Sequence, residues 1–339
     1  MAEIYLPEKI IFERNALEHF SAGKAERIIL ICDSENVLNR GIFDLTKSRC
    51  SKTASHVSTI FNTNVHELYN LACEEFFSHE ADLIIAIGSG AVIDCGMLLT
   101  NESGAKFTAI PCCCASSLTD FENSRYYSYR HSPSTLILDP ALIQNEASST
   151  VAYDALAAFS FAIDTLSSTD NIITRSLAVH GAVGIFRNII PAYRGDISSL
   201  EKLMYSMYFA VASHRNSRGI EGSHLNKVSS FFADFGYSKS SLCALILPNI
   251  MEYEEERIRD ELFGIATAVG LAQPDDDPPF ANIKLIDEIR RIQACVGVPR
   301  AVSGFNLTEN AYQTRKIHST VSDDLLDLCY YGSFKFMKL

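Results

Sequence analysis

The sequence predicts an α/β domain built on a parallel sheet, followed by an all-helical domain. Three observations carry this reading. Short apolar runs alternate with helical segments over roughly the first 140 residues, which is the pattern of βαβ units. One of these runs, Leu83-Ile84-Ile85-Ala86-Ile87, leads directly into the glycine turn Gly88-Ser89-Gly90-Ala91. Beyond Asp139-Pro140 the apolar spacing becomes that of helices.

Taken in order, Ile28-Ile29-Leu30-Ile31-Cys32 is a strand ending at Asp33, and Val57-Ser58-Thr59-Ile60-Phe61 is a second ending at Asn62. A helix over 65–79 precedes the strand before Gly88. Phe107-Thr108-Ala109-Ile110-Pro111 and Ser134-Thr135-Leu136-Ile137-Leu138 supply two more strands. Helical periodicity then covers 152–167, 173–193, 200–212 and 283–297, so the domains are set at 1–147 and 148–339. The acidic, proline-bearing stretch 273–279 reads as a solvated loop between helices.

The 339 residues and 47% hydrophobic content are enough for a large core. A net charge of −12 excludes the concentrated basic surface that nucleic acid requires. The ten cysteines form no CxxC pair and no framework spacing, and the N-terminus lacks the features of a signal peptide, so reduced thiols in a cytoplasmic protein are expected. The longest apolar runs are strand-sized, so no membrane span is expected.

A buried strand running into glycines and then a helix is the geometry that brings backbone amides to a phosphate. Gly88, Ser89 and Gly90, with Asp94 on the following helix, are therefore candidate nucleotide contacts in a Rossmann-like domain. The cleft between the two domains is the expected site. The alternative for the turn is a plain strand-to-helix connection.

The glycine turn leading to Asp94, Ile110-Pro111, Leu138-Asp139-Pro140, Phe161-Ala162-Ile163-Asp164 and Leu245-Ile246-Leu247-Pro248, in that order, resemble the iron-containing alcohol dehydrogenases. Their glycerol dehydrogenase and dehydroquinate synthase relatives share the pattern, and the likeness spans nearly the whole chain. It implies a dehydroquinate synthase-like fold and a nicotinamide dinucleotide. Asp33 is placed to accept from the adenosine ribose, which favours NAD over NADP because a 2′-phosphate is repelled. The second nucleotide loop corresponds to Ile110-Pro111-Cys112-Cys113-Cys114-Ala115-Ser116-Ser117, which assigns Cys112, Cys113 and Ser116 to the cofactor. Two departures stand out: the family's Gly-Gly-Gly-Ser turn is Gly88-Ser89-Gly90-Ala91 here, and its lysine three residues after the aspartate is Met97.

In the family one divalent zinc or iron ion polarises the substrate oxygen. Asp154-Ala155-Leu156 matches the ligand segment, yet in a second register Phe161-Ala162-Ile163-Asp164 replaces His-Ala-Ile-Glu and the aspartate falls on Ala157. His224 stands near the first of two later histidines. The second falls on Ser238 or Lys239, depending on the direction of counting. Asp154 and His224 thus make an incomplete metal site, so the metal is expected to be weak or lost. Lys239 is the candidate cation to stand in for it beside a developing alkoxide. The resemblance implies an oxidoreductase acting on a small alcohol, polyol or aldehyde, with a homodimer left open. The competing expectation is a divergent non-dehydrogenase that kept the fold as a binding or subunit partner.

Overall fold

The computed structural model describes residues 4–112, 132–217 and 223–332. Two units divide these residues, one reaching to Glu146 and the other beginning at Ala147.

Six strands form the sheet of the first unit: β1 (Lys9–Phe12), β2 (Arg27–Cys32), β3 (His56–Phe61), β4 (Leu83–Gly88), β5 (Lys106–Pro111) and β6 (Thr135–Leu138). Their spatial order is β1-β6-β5-β4-β2-β3, and every neighbouring pair is parallel. All six residues of β4 are buried, as are five of the six in β2, because a central parallel strand is covered on both faces and must be apolar throughout. The helices are α1 (Glu35–Asn39), α2 (Ile42–Cys50), α3 (Val65–His79), α4 (Gly90–Ser103) and α5 (Pro140–Ile143). The chain leaves β2 for β3 on one side and returns to β4 on the other. Strand order therefore reverses between β2 and β4, and the carboxyl ends of those two strands flank the switch point where open α/β sheets take ligands.

The second unit is helical throughout its described residues: α6 (Ser148–Ser168), α7 (Ile172–Tyr193), α8 (Ile197–Arg215), α9 (His224–Ala233), α10 (Lys239–Glu254), α11 (Arg259–Ala268), α12 (Pro278–Cys295), α13 (Glu309–Lys316) and α14 (Asp323–Tyr331). The α6 helix packs on α7, α8 and α10, and nearly all of its second half is buried. The α7 and α8 helices approach closely at Gly181, where a Cβ would stand 2.7 Å from the amide nitrogen of Ala210. Near the C-terminus the rings of Tyr312 and Tyr330 stack at 4.0 Å, and the buried Tyr312 donates its hydroxyl to Asp327 at 2.6 Å. No helix of the described residues is long and apolar enough to cross a membrane.

Two details differ from the sequence reading. The edge strand β1 is additional; its four residues, Lys9-Ile10-Ile11-Phe12, are too few and too exposed for periodicity to mark them. The stretch 273–279 is a loop only as far as Asp277, because Pro278 and Pro279 form the first turn of α12, where a missing N–H costs nothing.

Candidate functional site

At the mouth of β4 the backbone of Gly88 adopts φ 146°, a region that favours glycine. A Cβ on Gly88 would lie 2.2 Å from Oδ1 of Asp33, so the absence of a side chain is used to admit that carboxylate. Asp33 stands just past the end of β2, and Oδ1 accepts the Ser89 amide at 2.9 Å while Oδ2 accepts the Ser89 hydroxyl. Ser89 in turn caps α4, its Oγ accepting from the Ala91 amide at 3.2 Å. Gly90, the first residue of α4, is buried. The sequence reading placed Asp33 and the turn separately; the fold joins them across the switch point.

The remaining nucleotide candidates spread inward. Asp94 is 4% exposed, one turn into α4, and Met97 is 6% exposed in the same helix, so the lysine position is taken up by apolar packing. Cys112 donates its backbone amide to the Gly88 carbonyl at 2.8 Å, and its thiol lies in the core with Cys32 and Ile110, 3.7 Å from the Ile110 carbonyl oxygen. The backbone of Cys112, and not its sulfur, reaches the turn. Burial holds its thiol protonated well above the ordinary range. Cys113 and Ser116 lie outside the described residues.

Of the candidates in the helical unit, Asp154 is half-buried on α6. His224 opens α9, its Nδ1 in contact with Oε1 of the buried Glu254 and its ring edge-on to Tyr253 at 5.0 Å. A carboxylate on one ring nitrogen fixes the direction of the other, a device familiar from metal-bound histidines. Lys239 opens α10, and Ser238 is the cap of that helix, its Oγ accepting the Ser241 amide at 3.2 Å. Among the described residues, no group of three potential ligand atoms within 4.8 Å includes Asp154 or His224. A zinc or iron centre takes three protein ligands and one open position, and Asp154 and His224 supply two.

The sequence reading missed one arrangement here. Asp164 and Phe161, which stand where the resemblance expects glutamate and histidine, both engage His214 of α8. Asp164 Oδ2 lies 3.0 Å from His214 Nε2, and the Phe161 ring stacks on the imidazole at 4.8 Å. Asp164 is 1% and His214 5% exposed. A lone aspartate in the apolar run 155–166 was the available signal, because a buried carboxylate demands a partner.

Solved structures share this architecture. The iron-containing alcohol dehydrogenase of Thermococcus thioreducens superposes with a TM-score of 0.76 at 17% identity, covering 92% of this chain and 90% of that one. The fold is that of the iron-containing alcohol dehydrogenases. Maleylacetate reductase from Agrobacterium tumefaciens has a TM-score of 0.77 at 18% identity, covering 97% of both chains. By sequence, maleylacetate reductase 2 of Cupriavidus pinatubonensis is 22% identical over 288 residues, 80% of this chain and 78% of that protein. No family model matches the chain. In this chain the turn after β4 has the Asp33 carboxylate on its Ser89 amide, and the buried Met97 stands in the helix that follows.

Proposed function

We propose that this chain is an NAD(P)-dependent oxidoreductase of the iron-containing alcohol dehydrogenase type, acting on a small alcohol, polyol or aldehyde, with metal dependence weak or lost. The observation that carries the proposal is the unit formed by β4, Gly88 and α4 at the strand-order reversal, where φ 146° at Gly88 carries the chain into a helix N-terminus without a Cβ in the way. Backbone amides at a helix N-terminus after a glycine turn are the arrangement that takes a pyrophosphate. When bound, the nicotinamide supplies hydride acceptance or donation.

This chain's own residues set the terms of binding. A phosphate reaches the Ser89 amide only after Asp33 releases it, and Asp33 is then free to accept from ribose hydroxyls, the role that favours NAD. Lys239 at the start of α10 is the candidate positive charge beside a substrate oxygen, and Asp154 and His224 are candidate substrate contacts. A homodimer and a cytoplasmic location belong to the same proposal.

A second reading follows from the Asp33–Ser89 pair itself. With its carboxylate already on the amide that a phosphate would take, the turn is internally satisfied, as in a non-dehydrogenase that kept the fold as a binding or subunit partner. Fluorescence titration with NADH, on the wild-type protein and on Gly90→Val, separates the two. Saturable binding that Gly90→Val abolishes supports the oxidoreductase, and turnover with a panel of small alcohols and aldehydes completes the test. No binding at millimolar NADH favours the second reading.

A further inference from the structure

A second convergence of polar side chains lies on the first unit, at the outer edge of the sheet. His56 opens β3, the edge strand, and Glu75 and His79 stand one turn apart on α3, which packs against that strand. His56 and Ser58 are two residues apart on a strand and so share one face; Glu75 and His79, four apart on a helix, do the same. The two faces meet. Nδ1 of His79 lies 3.0 Å and Nε2 of His56 3.8 Å from the same carboxylate oxygen, Oε1 of Glu75. The imidazole rings stack with centroids 4.7 Å apart and planes inclined by 16°.

We propose that His56, Glu75 and His79 form a binding site for a divalent transition-metal ion of the zinc class. One ligand atom from each residue lies within 4.8 Å of the other two, the only such group among the described residues. Zinc holds imidazole nitrogens and carboxylate oxygens at about 2.0–2.2 Å, so ligand atoms around it sit roughly 3.3 Å apart, a contraction that side-chain rotation supplies. Two imidazoles with one carboxylate suit zinc, cobalt, nickel or copper, whereas magnesium and calcium prefer all-oxygen shells.

The surroundings also fit. Ser58 donates its hydroxyl to Oε1 of Glu75 and lies 2.8 Å from Nε2 of His56, which holds the carboxylate in place as an outer partner does in metal sites. The side chains of His56 and His79 are 47% and 44% exposed and that of Glu75 28%, so an ion can enter from solvent and keep water in its remaining positions. Such a site is open and exchangeable rather than a closed structural centre. Occupied, it clips the last turn of α3 to the edge strand. It is independent of the glycine turn and of Asp154 and His224, and so of the proposed oxidoreductase activity.

The test is calorimetric titration of metal-free protein with zinc chloride, without nucleotide. The expected result is one saturable zinc per chain at this site, not displaced by excess magnesium and unchanged in Asp154→Ala and His224→Ala. His56→Ala and His79→Ala should each weaken binding by more than about tenfold, and Ser58→Ala by about tenfold. In the unsubstituted protein zinc should also protect His56 and His79 from acylation by diethyl pyrocarbonate, a readout that no variant's folding can confound. Zinc binding that survives the combined substitution of His56 and His79, no saturation at millimolar zinc, or unprotected histidines in the zinc-loaded protein would each overturn the proposal.

Discussion

Asp33 and Ser89, 56 residues apart, are joined by two hydrogen bonds, the amide and the hydroxyl of Ser89 both donating to one carboxylate. The pair locks the end of β2 to the start of α4. It also places a negative charge where the proposed dinucleotide's ribose and phosphates converge. Removing the charge with Asp33→Asn should therefore narrow the preference for NADH over NADPH by about tenfold, the effect of roughly 1–2 kcal/mol of repulsion at a partly screened distance. Dissociation constants for both nucleotides measure this, and an unchanged ratio would take Asp33 away from the ribose.

Gly88→Ala forces a Cβ to within 2.2 Å of Asp33 at φ 146°. Strain and lost hydrogen bonds together should lower stability by about 2 kcal/mol or more. A shifted urea midpoint at unchanged m-value is the expected outcome.

The pair of Asp164 and His214 is buried within the helical unit. Asp164→Ala leaves an imidazole without its carboxylate in an apolar setting and should cost about 3 kcal/mol or more, whereas Asp164→Asn retains a hydrogen bond and should cost less. Chemical denaturation of both variants gives the ranking. Equal losses would show that packing, and not the polar contact, sets the effect.

Alkaline pH should destabilise the first unit. Burial pushes the thiol of Cys50 up to about 11 and that of Cys32 up to about 12, against 9.0 for a free thiol. Below pH 9 both states keep these protons and stability is flat. Above it the unfolded chain ionises first, so stability falls by about 1.4 kcal/mol per pH unit per thiol until the folded values are reached. Melting curves between pH 8 and 11 check the slope, and exposed Cys295 should alkylate before Cys32, Cys50 and Cys112.

In a His56→Ala/His79→Ala background, zinc bound by the helical unit should be well under one equivalent, and Lys239→His should raise it by restoring an imidazole at a position where the resemblance expects the second histidine. Ser238→His is the poorer test because it removes the cap of α10, at a cost of about 1 kcal/mol. Stoichiometric zinc before either substitution would restore a metal-dependent enzyme as the leading reading.

The fold was legible because its signals are local. An unbroken apolar run of strand length such as Leu83 to Ile87, ending at a glycine turn, reads as a strand covered on both faces. The site was legible in part. Which groups meet across the chain leaves no periodic trace, so the engagement of Asp33 with Ser89, of Asp164 with His214 and of His56 with Glu75 came only with the fold. The motif Leu138-Asp139-Pro140 had served as a marker of resemblance. Its aspartate is a structural clamp, accepting the amides of Ala141, Asn15 and Leu17 at 2.9, 2.8 and 3.1 Å.

That clamp, with the pairing of Lys9–Phe12 onto Thr135–Leu138, bears on how the chain is made. β1 is made well before β6, its neighbour in the sheet among the described residues, and Asn15 waits for a partner 124 residues downstream. At about 5–20 residues per second that is a delay of roughly ten seconds, during which Ile10 and Ile11 have no native cover. Lys9 and the acidic Glu8 and Glu13 beside them oppose pairing of the nascent segment with a neighbouring chain, and β1 joins β6 only once residues 135–138 have been made.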